Sequence, residues 1–114
     1  MDNRITIAQN RHFRTGIIIR QGEGRYYLAD GEELIFGVKR FAYNSDYILV
    51  KTIVRSDYDE NADVYPLELS CSETDLEQGT YYYDVALRRV NGELEKIIGC
   101  TELEVKKSVV RSEE

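Results

Sequence analysis

The fold is decided by one stretch, Asp75-Leu76-Glu77-Gln78-Gly79-Thr80-Tyr81-Tyr82-Tyr83-Asp84-Val85-Ala86-Leu87, which is followed closely by Asn91-Gly92. From position 81 onward the side chains alternate with a period of two, which predicts a long β-strand with one face in the core. Tyr and Val favour such a half-buried, pleated surface. We expect Tyr81, Tyr83, Val85 and Leu87 to face the core, and Tyr82, Asp84, Ala86 and Arg88 to face mostly solvent.

Both ends of this strand carry turn signals. Leu76-x-x-Gly79-x-Tyr81 is similar to the tyrosine corner of immunoglobulin-like sandwiches, in which the tyrosine hydroxyl bonds to upstream backbone. Gly79 supplies the backbone freedom that a bend needs there. The alternative is an ordinary hairpin without a corner. Asn91-Gly92 predicts a type I′ hairpin turn, which requires positive φ at both residues.

Length and composition indicate a single folded domain. The 114 residues are 42% hydrophobic and 32% charged, which excludes an intrinsically disordered chain. We expect one domain over residues 1–114, with 1–14 as a possible arm and 106–114 as a frayed tail. No apolar run approaches the roughly 20 residues that span a bilayer, and the N-terminus lacks a secretory signal, so we expect a cytoplasmic protein. Cys71 and Cys100 show no CxxC spacing and are expected to be reduced and to pack as small hydrophobic side chains.

The charge is distributed unevenly along the chain. The net charge of −6 argues against a nucleic-acid-binding protein. Residues 1–25 carry a balance of +3 and the remainder a balance of −9. The arginines of this segment, with Arg11 and Arg14 as candidate interaction residues, either pair within the domain or dock onto the acidic face of a neighbouring subunit.

The rest of the chain predicts further short strands. Gly37 inside a strand indicates a bulge or a close backbone approach, and Pro66 favours an edge strand. We expect a turn over residues 42–46 and a single helical turn over 72–75. The expected strands cover 5–7, 16–20, 25–28, 33–39, 47–54, 64–69, 81–88, 93–98 and 101–105, with residues 11–14 in a loop and a break at Gly99. This pattern predicts an all-β fold, an immunoglobulin-like antiparallel β-sandwich of about seven or eight strands.

One acidic loop has spacing similar to a calcium-binding loop. Carboxylate and amide oxygens fall at its first, third and fifth positions, and a glutamate lies eleven residues after the first; the candidates are Asp57, Asp59, Asn61, Asp63 and Glu68. Ala62 stands where the sharp turn needs glycine, Pro66 stiffens the loop, and both flanks predict strands. A solvated acidic loop is the favoured interpretation, and we expect neither a metal nor a cofactor.

Catalytic patterns are weak in this sequence. His12 is the single histidine and has no nucleophile in its sequence context, and Gly22-x-Gly24 lacks the rest of a dinucleotide-binding motif. We therefore expect a non-enzyme. Several tyrosines lie in or near predicted loops, among them Tyr26, Tyr27 and Tyr58, where they either grip a protein or a sugar or cover the rims of the core.

The order of the chain resembles small phage and prophage structural proteins, especially tail or baseplate accessory proteins with immunoglobulin-like sandwiches. The likeness runs over roughly residues 17–105. It lies in Leu28-x-Asp30-Gly31-x-x-Leu34-x-Phe36-x-Val38-Lys39, Leu49-Val50-Lys51, Leu67-x-Leu69-x-x-x-x-Thr74-Asp75-Leu76-x-x-Gly79-x-Tyr81-x-Tyr83-Asp84-Val85-x-Leu87, and the ending from Gly92 to Val105. These motifs specify strands and turns and carry no catalytic residues. The resemblance implies a virion component that is made in the host cytoplasm and acts by self-association or by binding other virion proteins.

Overall fold

The computed structural model describes residues 4–43 and 46–107, and within them the protein is all-β. The strands are β1 (Ile5–Ala8), β2 (Phe13–Ile17), β3 (Arg20–Gln21), β4 (Gly24–Arg25), β5 (Glu33–Lys39), β6 (Leu49–Val54), β7 (Tyr65–Leu69), β8 (Gly79–Arg88) and β9 (Leu94–Lys106). A short 3₁₀ turn covers Arg55–Asp57. The predicted fold class is therefore confirmed at the level of an all-β protein.

The strands form one curled five-stranded sheet and two small ones. The large sheet has the order β1-β9-β8-β5-β6, while β2 pairs with β7 and β3 with β4. The expected antiparallel arrangement is wrong in one place, because β1 runs parallel to β9. The large sheet is mixed for this reason. Residues 5–8 and 13–14, within the range expected as a possible arm, lie in β1 and β2.

The core lies between the concave face of the large sheet and the β2–β7 pair. The predicted inward residues of β8 are buried, as are Leu34, Phe36 and Val38 of β5. Leu67 and Leu69 of β7 are each 1% exposed and pack into the same cluster from the other side. The period of two in the sequence thus identified the inward face of both central strands.

The start of β8 has the geometry of a tyrosine corner. The Tyr81 hydroxyl donates a hydrogen bond to the carbonyl oxygen of Glu77 at 2.7 Å, and burial raises the pKa of this hydroxyl. Gly79 has φ +150°, a backbone conformation that a side chain disfavours. Leu76 packs half-buried against the core. The chain enters its central strand through a bend that is tied to its own backbone.

The hairpin between β8 and β9 differs from the predicted type I′ turn. The Gly92 N–H bonds to the Arg89 carbonyl at 2.9 Å, and the Arg89 N–H bonds to the Glu93 carbonyl at 2.8 Å. Gly92 has φ +92°, whereas Asn91 is not among the residues with positive φ. Three residues therefore make the connection, with the glycine in the left-handed position. The Asn91 side chain instead accepts a bond from the Glu93 N–H.

Three predicted elements were also placed wrongly along the chain. Residues 13 and 14 belong to β2 rather than to a loop, because they pair with Leu69 and Glu68 of β7. The strand predicted over 16–20 is interrupted between β2 and β3. Gly99 does not end a strand, because β9 runs through it and absorbs the irregularity as register shifts opposite residues 83–86. The turn predicted over 42–46 lies partly outside the described residues, and so does the tail predicted over 106–114.

Candidate interaction surface

The convex side of the large sheet forms a broad exposed surface, here called the outer sheet face. It carries a shallow groove of about 360 Å³ whose lining includes Ile35, Gly37, Tyr47, Val50, Asp84, Ala86, Arg88, Leu94 and Lys96. These residues come from four neighbouring strands and from the segment before β6, and the register brings them together: Gly37 lies opposite both Val50 and Asp84, and Ala86 opposite both Ile35 and Lys96.

Gly37 explains how one end of this groove is built. The Tyr47 ring lies so close that a Cβ on Gly37 would be 2.5 Å from two ring carbons. The close neighbour of this glycine is thus a side-chain ring, rather than the bulge or the backbone that the sequence predicted. The Tyr47 hydroxyl donates to Asp84 Oδ1 at 3.1 Å and to Oδ2 at 3.0 Å, and the Lys39 ammonium lies 5.1 Å from the ring centre.

Asp84 was expected to face solvent, and this prediction is wrong, because its side chain is only 9% exposed. The Tyr47 ring covers it, and Lys96 Nζ donates to its Oδ2 at 3.0 Å. The bond to Asp84 raises the pKa of Lys96, and burial followed by the bond to Asp84 raises the pKa of Tyr47. A buried carboxylate needs such partners because leaving it unpaired costs several kcal/mol.

Several apolar side chains of the outer sheet face are exposed. Val50 is 52% exposed, Leu94 64% and Val54 36%. Ile48, just before β6, is 48% exposed. An ion pair between Arg88 and Glu33, with an N–O distance of 2.9 Å, lies between Val54 and Leu94. The surface thus combines exposed apolar side chains with charged pairs, as many protein-binding patches do.

A second group of residues gathers around Asp63. The structure brings together two of the three tyrosines that the sequence singled out, since the Tyr27 and Tyr58 rings meet edge to face at 5.6 Å. The Tyr58 hydroxyl and the Arg25 guanidinium both donate to the Asp63 carboxylate, and Tyr27 does so at 3.3 Å. The bond from Tyr58 lowers the pKa of Asp63, and the same bond raises the pKa of Tyr58.

Tyr26, the third candidate tyrosine, points elsewhere. Its hydroxyl donates to Glu32, a carboxylate that is 6% exposed and also accepts from the Ala29 N–H at 2.8 Å and from Arg89 at 3.3 Å. The bond from Tyr26 lowers the pKa of Glu32. The bond to Glu32 therefore ties Tyr26 to the loop between β4 and β5.

Most of the N-terminal arginines pair within the domain. Arg4 lies 3.2 Å from Glu102, Arg14 lies 3.1 Å from Glu68, and Arg25 pairs with Asp63. Arg11 is exposed, and its backbone N–H bonds to Thr74 Oγ1 at 2.9 Å. Pairing within one chain thus accounts for three of the five cations, which weakens the case for a basic segment that docks onto a neighbour.

The five candidate calcium ligands do not converge. Asp57 Oδ2 accepts from the Val54 N–H at 2.9 Å, and Asp59 Oδ1 accepts from the N–H groups of Asn61 and Ala62 at 3.0 and 3.2 Å. Asp63 and Glu68 are held by arginines, and His12 Nε2 also lies 3.3 Å from Glu68. Within residues 4–43 and 46–107, no group of three or more histidine, cysteine or acidic side chains is placed to hold a metal ion.

The two cysteines, Cys71 and Cys100, are free and exposed, so the expectation that they pack as small hydrophobic side chains is wrong. Among the described residues, no helix has the length and apolar character to cross a membrane.

Sequence reasoning missed the Tyr47–Asp84–Lys96 cluster, although one signal pointed to it. A glycine in the middle of an otherwise bulky strand leaves a gap that a neighbouring aromatic ring can fill. The sequence does not show which ring fills it, because Tyr47 precedes β6 and reaches across the strand pairing to a third strand.

Comparison with known proteins adds no relative. No family model matches this sequence, and no curated protein is significantly similar to it.

Proposed function

We propose that this protein is a non-catalytic structural protein of the phage or prophage type, which acts by protein–protein assembly in a tail or baseplate. The observation that carries the proposal is the outer sheet face, where Val50 and Val54 of β6 and Leu94 of β9 expose apolar surface on the same side of the sheet. Exposed apolar side chains next to charged pairs are characteristic of protein–protein interfaces. The all-β fold and the motifs over residues 17–105 support an immunoglobulin-like sandwich of the kind that such accessory proteins use.

Self-association is the form of assembly that this surface fits. The ion pairs Asp84–Lys96 and Glu33–Arg88 place both signs of charge on this face. A surface with both signs can meet a second copy of itself without facing like charges, as an isologous dimer contact requires. We expect homo-oligomers that form through this face.

The experiment is sedimentation velocity over a range of protein concentrations. The wild-type protein should associate, and the double variant Val50→Glu, Leu94→Glu should remain monomeric because burying two new carboxylates costs several kcal/mol. Val90→Glu is the matched control, since Val90 is 69% exposed at the hairpin tip and does not line the groove. A wild-type protein that stays monomeric at every concentration would contradict self-association.

Mass spectrometry of phage-like particles, purified after DNA-damage induction of the source strain, tests the wider role. We expect the chain at a stoichiometry comparable to that of tail proteins. Intact particles that form without it would overturn the structural role.

A second candidate function is a binding module for a carbohydrate or a host protein. The observation that favours it is the exposed Tyr27 ring, 49% accessible, which stands edge to face with Tyr58 beside Arg25. Tyr27→Ala should abolish binding on a glycan array without unfolding the protein. Tyr26→Ala is not a clean test, because it would leave the buried Glu32 without one of its donors.

A further inference from the structure

The domain has an open seam between two strand edges. Within the part of the chain that the structure describes, β1 is one edge of the large sheet, and β2 pairs only with β7. The β1–β2 connection is held at one end, where the Asn10 and Arg11 N–H groups bond to Thr74 at 3.2 and 2.9 Å. Beyond that end the two strands do not pair, and a cavity of about 400 Å³ lies between them. Here this opening is called the seam.

The walls of the seam present unpaired backbone on the β2 side. Gly16 lies opposite Pro66 in the β2–β7 pairing. In a hydrogen-bonded antiparallel pair, the two residues exchange two N–H···O bonds. Because proline has no N–H, Gly16 and Pro66 must form a non-hydrogen-bonded pair. The N–H and C=O of Gly16 therefore point away from β7, toward the seam that Gly16 lines.

The β1 side presents unpaired backbone as well. The Gln9 N–H, directly after β1, donates to the Lys106 carbonyl of β9 at 2.8 Å. Alternate residues of a strand direct their backbone groups to the same side, so Ile7 and Ile5 also face β9. The N–H and C=O of Thr6 point to the opposite side, where β1 has no partner strand among residues 4–43 and 46–107.

The seam is lined mainly by apolar residues and also by a cation. Its lining includes Phe36, Val85 and Ile98 of the large sheet. Arg20 also lines it and, among the described residues, has no carboxylate within ion-pair distance. A ligand that complements the apolar lining and Arg20 has apolar side chains directed into the seam and an acidic group next to Arg20.

We propose that the seam accepts an extended segment of a partner polypeptide, with apolar residues at alternate positions and a carboxylate that meets Arg20. Such a segment pairs with the free edges of β1 and β2, and its inward side chains fill the cavity, as in other cases of strand addition. An amphipathic small molecule would fill the cavity but would leave the backbone groups of Gly16 and Thr6 without partners. The proposal depends on the seam alone and not on the outer sheet face, so each can fail without the other.

The experiment uses a synthetic probe, the peptide acetyl-Ser-Val-Ser-Val-Ser-Val-Ser-Glu-amide, titrated into the full chain and followed by NMR. We expect saturable binding and slower hydrogen exchange at the Gly16 and Thr6 amides. A control peptide of the same composition with its valines contiguous should bind more weakly, because its apolar side chains cannot all face inward. Arg20→Gln should weaken binding about fivefold, whereas Arg55→Gln, at an exposed arginine outside the seam, should leave it unchanged.

Three results would overturn the proposal. The first is no binding of the alternating peptide, and the second is equal binding of both peptides. The third is binding that leaves the exchange of the Gly16 and Thr6 amides unchanged. Sodium decanoate serves as the small-molecule probe, and its binding in place of the peptide would assign the seam to an amphipathic carboxylate.

Discussion

Individual residues of this protein show how a few buried polar groups are stabilised in an apolar core. Glu32 is the clearest case, because its carboxylate is almost fully buried and is held by a tyrosine, a backbone N–H and an arginine. Each partner favours the charged form, and the bond from Tyr26 is the largest influence that lowers the pKa of Glu32. The loop before β5 therefore depends on the ionisation of one side chain.

The stability of the fold should depend on pH through Glu32. Its folded-state pKa lies below the usual value of 4.5, so the unfolded chain binds more protons in this range and stability is lost as the pH falls through the folded-state pKa. Glu32→Gln should lower the free energy of unfolding by about 1–3 kcal/mol at neutral pH and should flatten its dependence on pH below 4.5. Urea denaturation at several pH values measures both effects. Glu23→Gln, at an exposed position, is the control, and an unchanged pH profile in Glu32→Gln would contradict the prediction.

The tyrosine corner should contribute the energy of one hydrogen bond to the free energy of unfolding. Tyr81→Phe keeps the ring in the core and removes only the donor to Glu77. We expect a loss of about 1 kcal/mol in the free energy of unfolding. Tyr82→Phe is the matched control on the next residue, because among the described residues its hydroxyl makes no hydrogen bond. Equal losses in the two variants, measured by thermal and urea denaturation, would show that the corner bond adds nothing.

Among the secondary-structure elements, the β8–β9 hairpin shows that the local sequence determines the position of a turn, whereas strand pairing determines its conformation. Local sequence placed a turn at Asn91-Gly92, and a turn is there. Its type follows from which residues of β8 and β9 lie opposite each other, and that register makes a connection of three residues with only Gly92 at positive φ. The two-residue signal was therefore right about position and wrong about conformation.

Two glycines of the β8–β9 hairpin should respond in opposite directions to alanine. Gly92 has φ +92°, and Gly99 in β9 has no left-handed φ; a Cβ at either position meets nothing within 4 Å. Gly92→Ala should cost about 1 kcal/mol or more because of backbone strain alone. Gly99→Ala should be neutral or stabilise the fold by about 0.5 kcal/mol, since it reduces the freedom of the unfolded chain. Equal destabilisation of both variants in urea titrations would contradict this.

The sequence predicted best those elements in which core-facing side chains alternate with outward-facing ones and which end in local turns. The bounds of β5 were predicted as they stand, because Leu34, Phe36 and Val38 recur at every second position and all face the core. The first part of β2 was missed, since Phe-Arg-Thr-Gly-Ile does not alternate and is extended only because β7 lies beside it. The parallel pairing of β1 with β9 could not be predicted either, because it joins residues about a hundred positions apart.

At the scale of the whole molecule, the same distinction applies to the candidate sites. The sequence named Tyr27 and Tyr58, and the structure places them together, whereas the outer sheet face depends on the register of four strands. Charge asymmetry was visible in the sequence, but its neutralisation by ion pairs such as Arg14–Glu68 required the fold. Features that arise from the pairing of distant strands, such as the outer sheet face and the ion pairs, could not be predicted from the sequence alone.

The topology also predicts where the molecule opens first. β8 is paired on both sides, with β5 and β9, and its Tyr83 and Val85 are 4% and 1% exposed. Among the described residues, β1 and β6 are edges of the sheet, and β2 has one neighbour and borders the seam. Strands with one neighbour and exposed backbone open by local fluctuations, whereas a doubly paired, buried strand opens only with global unfolding. Native-state hydrogen exchange should therefore be slowest at the β8 amides and faster at β1, β2 and β6. Equal protection of β1 and β8 would mean that the β1 edge is covered in solution, and would contradict a seam that stands open to a partner strand.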